Sequence, residues 1–336
     1  MLFQKAYAAG TIALPQAAKV AAKIDLLHDA VFWLSVVLLA LVTAMLVVFI
    51  WNYHRSKTGR MTEYILGSHF FEALWTVIPL ILFLGIFLWG YIDYLHLRTP
   101  LEDPLEINVV GRQWMWNFEY TNGRKTLNEL FLPKGRAVKL IITSEDVIHS
   151  FFVPNFRLKQ DSVPGMYTYL FFEPTVTGEH PIYCAEFCGT GHSDMLGKAI
   201  ILEKEDFNQW FQTGNLPGSI KKLTQAVSPV STAEASLPKK SLAEQGKGVF
   251  DSKGCFACHS VDGTAKIGPT LLKSFGRNEA LQDGKTVTVD ENYIRESLMD
   301  PQAKILKGFP PSMPTFRGLL TDDEVNALIA FIKSLK

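Results

Sequence analysis

One short segment of the sequence holds two cysteines, Cys184 and Cys188, followed by His192 and Met195. Thiolate and imidazole ligands with a weak thioether suit copper among the first-row metals. Two cysteines this close can bridge two metal ions, and a second imidazole is then needed, which we expect His149 to supply. The pattern predicts a dinuclear copper site.

Two other interpretations of this segment stay open at this point. Cys184 and Cys188 could form a disulfide, or the cysteines and histidines could bind a structural zinc ion. Zinc would leave Met195 without a role, and a disulfide would leave both histidines unexplained. The chain has four cysteines in two tight pairs, whereas a secreted disulfide scaffold spreads them out. The ligand set as a whole favours copper.

The second pair of cysteines belongs to the run Cys255-Phe256-Ala257-Cys258-His259. This spacing is the attachment signature of a c-type haem, in which two thiols bind the vinyl groups and the adjacent histidine becomes an axial ligand. A carbonyl near Pro269 would hold the other imidazole nitrogen and fix its tautomer. We therefore expect a covalent haem at Cys255, Cys258 and His259.

The sixth haem ligand is expected to be a methionine. Met313 lies between prolines in a segment that precedes the last predicted helix, where a stiff loop would hold its thioether in place. Met299 is the alternative, but it falls in an amphipathic helical stretch and is expected to pack. Met313 with His259 would raise the haem potential, as an electron carrier requires.

Two blocks without charged residues, at about 30–51 and 73–92, are each long enough to cross the hydrocarbon core of a membrane. Pro79 is expected to kink the second. Met1 to Gly10 lacks the apolar core of a signal peptide, so we expect the first helix to direct insertion. Basic residues dominate between the blocks, which predicts a cytoplasmic loop and outer termini; the charged residues are His54, Arg55, Lys57, Arg60 and Glu63.

Residues 101–214 have the pattern of a Greek-key β sandwich or barrel, closed by a short helix around Lys204–Thr213. A linker rich in Ser, Pro, Ala and Lys follows at 215–241, and residues 242–336 form the haem-binding domain. Short runs of β-branched and aromatic residues between turn signals give the predicted strands: Leu105–Val110, Trp114–Tyr120, Val138–Thr143, Tyr167–Phe172 and Lys198–Leu202.

The overall charge argues against nucleic acid as a partner. Lysine plus arginine and aspartate plus glutamate each number 33, so the chain lacks the basic field that nucleic acids require. The N-terminal residues 1–100 hold both apolar blocks, which makes membrane lipid an expected partner.

From the first membrane block to about Trp210, the sequence resembles subunit II of cytochrome c oxidase. The resemblance implies a cupredoxin-like domain with a dinuclear CuA centre. It also implies that the Glu186 carboxylate faces a magnesium ion shared with subunit I. The implied copper ligands are His149, Cys184, Cys188, His192, Met195 and the backbone carbonyl of Glu186.

The same resemblance gives roles to two more residues. Trp114 matches the tryptophan through which electrons enter the copper domain, whereas core packing is the expected role of Trp116 and Phe118. Glu72 matches a glutamate at the mouth of a proton path into subunit I. A simple interfacial anchor is the other interpretation of Glu72, because a carboxylate costs little at the end of a membrane helix.

Residues from about Ser241 to Lys336 resemble a class I cytochrome c. The implied architecture is multidomain: a two-helix transmembrane hairpin, a cupredoxin-like Greek-key β domain and an all-α cytochrome c domain. The resemblance implies an oxidase subunit in the bacterial plasma membrane, multi-pass, with both cofactor domains on the periplasmic side. Cytochrome c or a reductase would donate electrons, and subunit I, with other oxidase subunits as partners, would reduce oxygen to water and pump protons.

Three other functions are alternatives to that of an oxidase subunit. A CuA-containing nitric oxide reductase would share the copper loop, and Glu72 and Glu186 favour the oxidase over it. A free membrane electron carrier would lack an enzyme partner. A quinol oxidase subunit lacks the copper ligands, which argues against that class.

Overall fold

The computed structural model describes residues 14–54, 67–215 and 241–335. The basic loop on which the orientation depends, most of the linker and the first residues lie outside these ranges, and those predictions stay expectations. The chain divides into two compact units. One contains Met1–Pro100 and Asn155–Arg157, and the other contains Leu101–Pro154 and Leu158–Lys336.

The two apolar blocks form long helices, α1 over Ala21–Tyr53 and α2 over His69–Arg98. Both are long and apolar enough to cross a membrane. The most apolar segment of each helix is not buried by other parts of the chain that the structure describes. The helices extend beyond the predicted blocks because their polar ends continue the same backbone hydrogen bonding. Pro79 lies inside α2, which continues through it as one helix.

A buried ion pair lies near the start of α1. The Arg157 guanidinium donates to both carboxylate oxygens of Asp25, from Nε at 2.7 Å and Nη2 at 2.9 Å. Gln16 donates a third hydrogen bond to the same carboxylate at 2.8 Å. Each charge is thus paired and hydrogen-bonded, which is the condition for burying charges without a large penalty.

The β region consists of two five-stranded sheets, with the orders β3-β2-β1-β5-β8 and β4-β10-β9-β6-β7. Neighbours pair antiparallel except β1 with β5 and β4 with β10, which are parallel. The strands are β1 Leu105–Arg112, β2 Met115–Tyr120, β3 Lys125–Leu127, β4 Glu129–Pro133, β5 Val138–Ser144, β6 His149–Val153, β7 Leu158–Ser162, β8 Thr168–Phe172, β9 Gly178–Cys184 and β10 Leu196–Leu202.

Five of the observed strands were not predicted from the sequence: β3, β4, β6, β7 and β9. Most are short or carry polar residues, as in Leu158–Ser162, so they lack the alternation that identifies a half-buried strand. Trp114 was expected to open a strand, but β2 begins at Met115 and Trp114 lies in the turn after β1. The helix predicted around Lys204–Thr213 is present and becomes α3.

Aromatic side chains of β2 fill the space between the sheets. Trp116 and Phe118 are almost fully buried, and the Trp116 ring meets Phe151 edge-on with centroids 5.2 Å apart. This agrees with the core-packing role expected for both residues. The Tyr120 hydroxyl accepts from the Phe131 amide at 2.7 Å and donates to its carbonyl, so its polar end is satisfied in the core.

The C-terminal region is built on three helices, α4 Leu242–Ser252, α5 Glu291–Met299 and α6 Asp322–Ser334. A capping box at Thr321 and Glu324 opens α6. A two-stranded ladder, Asn278–Ala280 with Thr286–Thr288, adds a small β element to the helices expected there.

Gly246 marks a close crossing of α4 and α6. A Cβ atom at Gly246 would lie 1.9 Å from the Ala327 carbonyl oxygen, whereas Gly248, in the same helix, has open space around it. We expect Gly246→Ala to force the helices apart and cost about 1–3 kcal/mol of unfolding free energy, or more. Thermal unfolding of the full chain would measure this loss.

The matched control is Gly248→Ala, which should stabilise α4 by about 0.5–1 kcal/mol because alanine favours the helix. Equal effects of the two substitutions would contradict the close crossing.

Candidate metal centre and haem site

Strand pairing brings the first predicted copper ligand to the others. His149 opens β6, Cys184 ends β9, and the two strands run antiparallel with Phe151 opposite Cys184. As a result, His149 Nδ1 lies 3.9 Å from Cys184 Sγ, and the imidazole is fully buried. A histidine far from the cysteine loop in sequence thus becomes a direct neighbour of it in space.

The loop after β9 folds back so that its ligand atoms surround the two sulfurs. Cys184 Sγ lies 3.7 Å from Cys188 Sγ and 3.2 Å from the Glu186 carbonyl oxygen. Cys188 Sγ lies 3.5 Å from His192 Nδ1 and 3.9 Å from Met195 Sδ. The structure therefore gathers all six predicted ligands in one place.

The donor set fits a soft metal better than the other interpretations. Both cysteines are free, and their sulfurs stand farther apart than the ~2.05 Å of a disulfide bond. The thioether of Met195 is fully buried beside Cys188, where zinc ligation would leave it unused. Two thiolates, two imidazoles, a thioether and a carbonyl match the preferences of copper.

The thiols of Cys184 and Cys188 differ in pKa. The hydrogen bond from Cys188 holds the pKa of Cys184 far below its usual value, with a further contribution from His149. The same interaction with Cys184, together with burial, raises the pKa of Cys188. One thiolate is therefore favoured in the metal-free loop, and loss of the second proton would accompany metal binding.

Asp146 contacts the far side of the His149 ring and was missed by the sequence analysis. His149 Nε2 lies 2.8 Å from Asp146 Oδ1, and the backbone N–H of Gln113 donates to Asp146 Oδ2 at 2.8 Å. Partial burial raises the pKa of Asp146, but the hydrogen bonds from Gln113 and His149 outweigh it, so the net pKa is lowered. An acidic residue three positions before a predicted ligand was the available signal.

Replacing Asp146 with asparagine should weaken copper binding. The carboxylate orients the His149 ring and leaves Nδ1 free for a metal, and loss of such an outer partner typically costs 10–100-fold in metal affinity, so about tenfold or more is expected here. Competition with a copper chelator measures this change.

Glu145→Gln is the control for the Asp146 substitution, because Glu145 is exposed and pairs with Arg112 instead. An unchanged affinity in Asp146→Asn would contradict the orienting role.

Trp114 lies against the copper loop. Its indole N–H donates to the Cys188 carbonyl at 3.1 Å, and the Gln113 side chain donates to the same oxygen at 2.7 Å. A Cβ atom at Gly191 would lie 2.4 Å from the indole ring, so only glycine permits this contact. The predicted tryptophan is therefore adjacent to the predicted ligands.

The predicted haem ligands line one cavity of the C-terminal region. Cys255 opens a short 3-10 turn, and Cys258 and His259 follow it. His259 Nδ1 lies 2.8 Å from the Pro269 carbonyl oxygen, the partner that the sequence suggested. Burial lowers the pKa of His259, which keeps the imidazole neutral and able to bind a metal.

Met313 also lines this cavity, and the described lining does not include Met299. Most of the other lining side chains are apolar, among them Leu298, Ile332 and Phe316. Burial raises the pKa of Cys255 to about 12 and that of Cys258 to about 11, so neither thiol is an anion at neutral pH. An apolar cavity with two thiols, an imidazole and a thioether fits a covalently attached haem.

Two predicted residues lie apart from these contacts. Glu72 is in the first turn of α2, half-exposed, with His69 Nδ1 3.1 Å from its carboxylate. The Glu186 side chain is exposed, whereas its carbonyl faces Cys184. The described residues show no metal-binding group of carboxylates around Glu186.

Three family models match the chain. Residues 8–91 match the one described as the transmembrane domain of cytochrome c oxidase subunit II, residues 124–203 match its periplasmic domain, and residues 243–336 match cytochrome c.

Curated proteins with the name cytochrome c oxidase subunit 2 are also similar to the chain. Cytochrome c oxidase subunit 2 of Alkalihalophilus pseudofirmus is 29% identical over 316 residues, which cover 90% of this chain and 85% of that protein. The protein of the same name from Thermostichus vulcanus is 43% identical over 106 residues, 32% of each chain. The crystallised periplasmic domain of cytochrome oxidase subunit II from Bradyrhizobium japonicum is 28% identical, with 37% of this chain and 98% of that one covered and a TM-score of 0.33.

The transmembrane, periplasmic and cytochrome matches follow one another along the sequence, and the first relative spans most of both chains. The chain is thus similar to cytochrome c oxidase subunit II over its transmembrane and periplasmic parts and to cytochrome c over its C-terminal part.

Proposed function

We propose that this chain is the electron-transferring subunit of a haem–copper cytochrome c oxidase. It receives electrons at a c-type haem in the cytochrome domain, residues 242–336. It passes them to a dinuclear CuA centre in the copper domain, residues 101–214, and on to subunit I, which reduces oxygen to water and pumps protons. The convergence of four other predicted ligand atoms on the sulfurs of Cys184 and Cys188 carries this proposal.

The copper domain would hold both metal ions through four buried side chains and the half-buried His192. When bound, the copper pair and the haem each supply reversible one-electron chemistry. The chain supplies fixed ligands: His149 is held by Asp146, and Cys188 lies between His192 and Met195. Because these ligands are held by strands and a packed loop, they would move little as charge changes, which favours fast electron transfer.

The cytochrome domain would hold the haem through Cys255 and Cys258 as thioether links. His259 and Met313 would bind the haem iron, and the Pro269 carbonyl would select the imidazole tautomer. Methionine with histidine gives a haem potential in the range of electron carriers. Trp114, hydrogen-bonded to the Cys188 carbonyl, would connect the copper ligands to the surface at which electrons arrive.

Oxygen chemistry would belong to a partner, because two membrane helices cannot enclose a haem–copper centre. We place the chain in the bacterial plasma membrane as a multi-pass protein, with both cofactor domains on the periplasmic side and cytochrome c or a reductase as the donor. Glu72 would stand at the mouth of a proton path, and the Glu186 carboxylate would face magnesium at the boundary with subunit I.

Purification of the full chain with its membrane partner tests this function. A many-helix subunit should co-purify, and reduced cytochrome c should drive oxygen consumption. Nitric oxide reduction without oxygen consumption would favour the reductase alternative, and absence of a membrane partner would favour a free electron carrier.

A further inference from the structure

The copper domain and the cytochrome domain lie in the same compact unit and share an apolar contact. Met115 and Leu127, from strands β2 and β3, join the buried hydrophobic cluster that contains Phe250 and Leu328 of the cytochrome domain. Met115 is only 5% exposed. Two hydrophobic side chains of the copper domain thus belong to the same buried cluster as core residues of the cytochrome domain.

Met115 also lines the haem cavity, together with Cys255 and Met313. Its neighbour in the sequence, Trp114, donates to the carbonyl of the copper ligand Cys188 at 3.1 Å. Met115 in the wall of the haem cavity is therefore directly bonded in the chain to Trp114, whose side chain contacts the copper loop.

Charged residues lie around this apolar contact. Lys266 Nζ is 3.5 Å from Asp194 Oδ2 and also donates to the Phe256 carbonyl, inside the haem-attachment motif. Asp194 stands between the copper ligands His192 and Met195 in the sequence. This one lysine thus contacts both the haem-binding segment and the copper-binding loop.

A second lysine completes the rim. Lys253 Nζ lies 3.9 Å from Glu129 Oε2 of the copper domain and 3.7 Å from Glu324 Oε1 of its own domain. Beside it, a Cβ atom at Gly254 would lie 2.7 Å from the Asn128 side chain, and the Gly254 φ of +74° also favours glycine. The turn that carries Cys255 therefore approaches the copper domain closely.

An apolar centre with a charged rim is the usual composition of a protein interface. The charged pairs would fix the orientation in which the two surfaces meet. The linker keeps the partner surface at high effective concentration, so a modest contact suffices to hold the domains together.

We propose that the cytochrome domain docks on the copper domain of its own chain through Met115, with Lys253 and Lys266 as the charged rim, and that this docked form transfers electrons between the two sites. The inference rests on the proposed function for its electron-transfer part. Met115 acts as a positioning residue that keeps the haem-cavity wall against Trp114. One electron passes, so that one site is oxidised as the other is reduced, and no bond forms or breaks.

Zero-length carbodiimide cross-linking of the full-length holo-oxidase complex tests the docking without relying on electron transfer. Mass spectrometry should find Lys266 joined to Asp194 within one chain, at a yield that does not depend on protein concentration. We expect Met115→Ala to lower the ratio of docked to undocked protein about tenfold, the effect of losing one well-packed interface side chain. Met115→Leu keeps the volume and should retain the cross-link.

Met166→Ala is the matched control, because Met166 belongs to the same domain but is 57% exposed. It should leave both the cross-link and the rate of haem-to-copper transfer after photoreduction unchanged, whereas Met115→Ala should lower both with the copper and haem spectra intact. A cross-link that forms only between two chains, or a yield that Met115→Ala leaves unaltered, would overturn the docking. A wild-type chain that cross-links but passes no electron would refute the proposed function and leave the docking in place.

Discussion

Replacing Cys188 with serine is expected to remove the dinuclear copper signal and to lower electron delivery to oxygen at least about 100-fold. Cys188 Sγ is within 4 Å of three other predicted ligand atoms, on Cys184, His192 and Met195. A hydroxyl is a poor bridge between two soft metal ions. Loss of an outer-shell partner alone costs about 10–100-fold, so loss of a bridging ligand should cost more.

Electron paramagnetic resonance of the Cys188→Ser protein, together with oxygen consumption, measures both effects. Ser193→Ala is a matched control in the same loop, because Ser193 is exposed and is not a predicted ligand. The haem spectrum should be unchanged in both variants. A Cys188→Ser protein that keeps its copper signal and its turnover would contradict the assignment of Cys188.

Replacing Met313 with alanine is expected to lower the haem potential and slow the uptake of electrons from the donor. Met313 lines the haem cavity, and methionine ligation is what raises the potential of such haems. Each fall of about 59 mV lowers the equilibrium constant for one-electron reduction about tenfold, and we expect at least one such step. A redox titration of the α band measures the change.

Met299→Ala separates ligand loss from loss of packing. Met299 is partly buried against the same hydrophobic cluster, but the described cavity lining does not include it. Its removal should lower the melting temperature and leave the haem potential and the methionine–iron absorption unchanged. The opposite result, with the absorption lost in Met299→Ala and kept in Met313→Ala, would reverse the ligand assignment.

The candidate site residues could be predicted from the sequence because their chemistry is local. The copper loop from Cys184 to Met195 and the haem motif at Cys255 need particular side chains at fixed spacing, which can be read without a structure. His149 was predicted because the cysteine loop required a second imidazole. The pairing of β6 with β9 then places it beside Cys184.

Residues that act across the fold were harder to find. Asp146 is an ordinary exposed loop acid by sequence, and only the position of the His149 ring gives it a partner. Met115 has the pattern of a strand residue, and nothing local indicates that the cytochrome domain covers it. Strands such as Lys125–Leu127 are too short for a periodic signal, because their stability comes from neighbouring strands rather than from their own residues.

The spectrum of the full-length chain, matured with haem and loaded with copper, tests the central claim most directly. We predict a c-type α band together with a multi-line hyperfine pattern in electron paramagnetic resonance, from one unpaired electron shared by two copper nuclei. A c-type band with no copper signal, or with the simpler pattern of a single Cu(II) ion, would contradict the account.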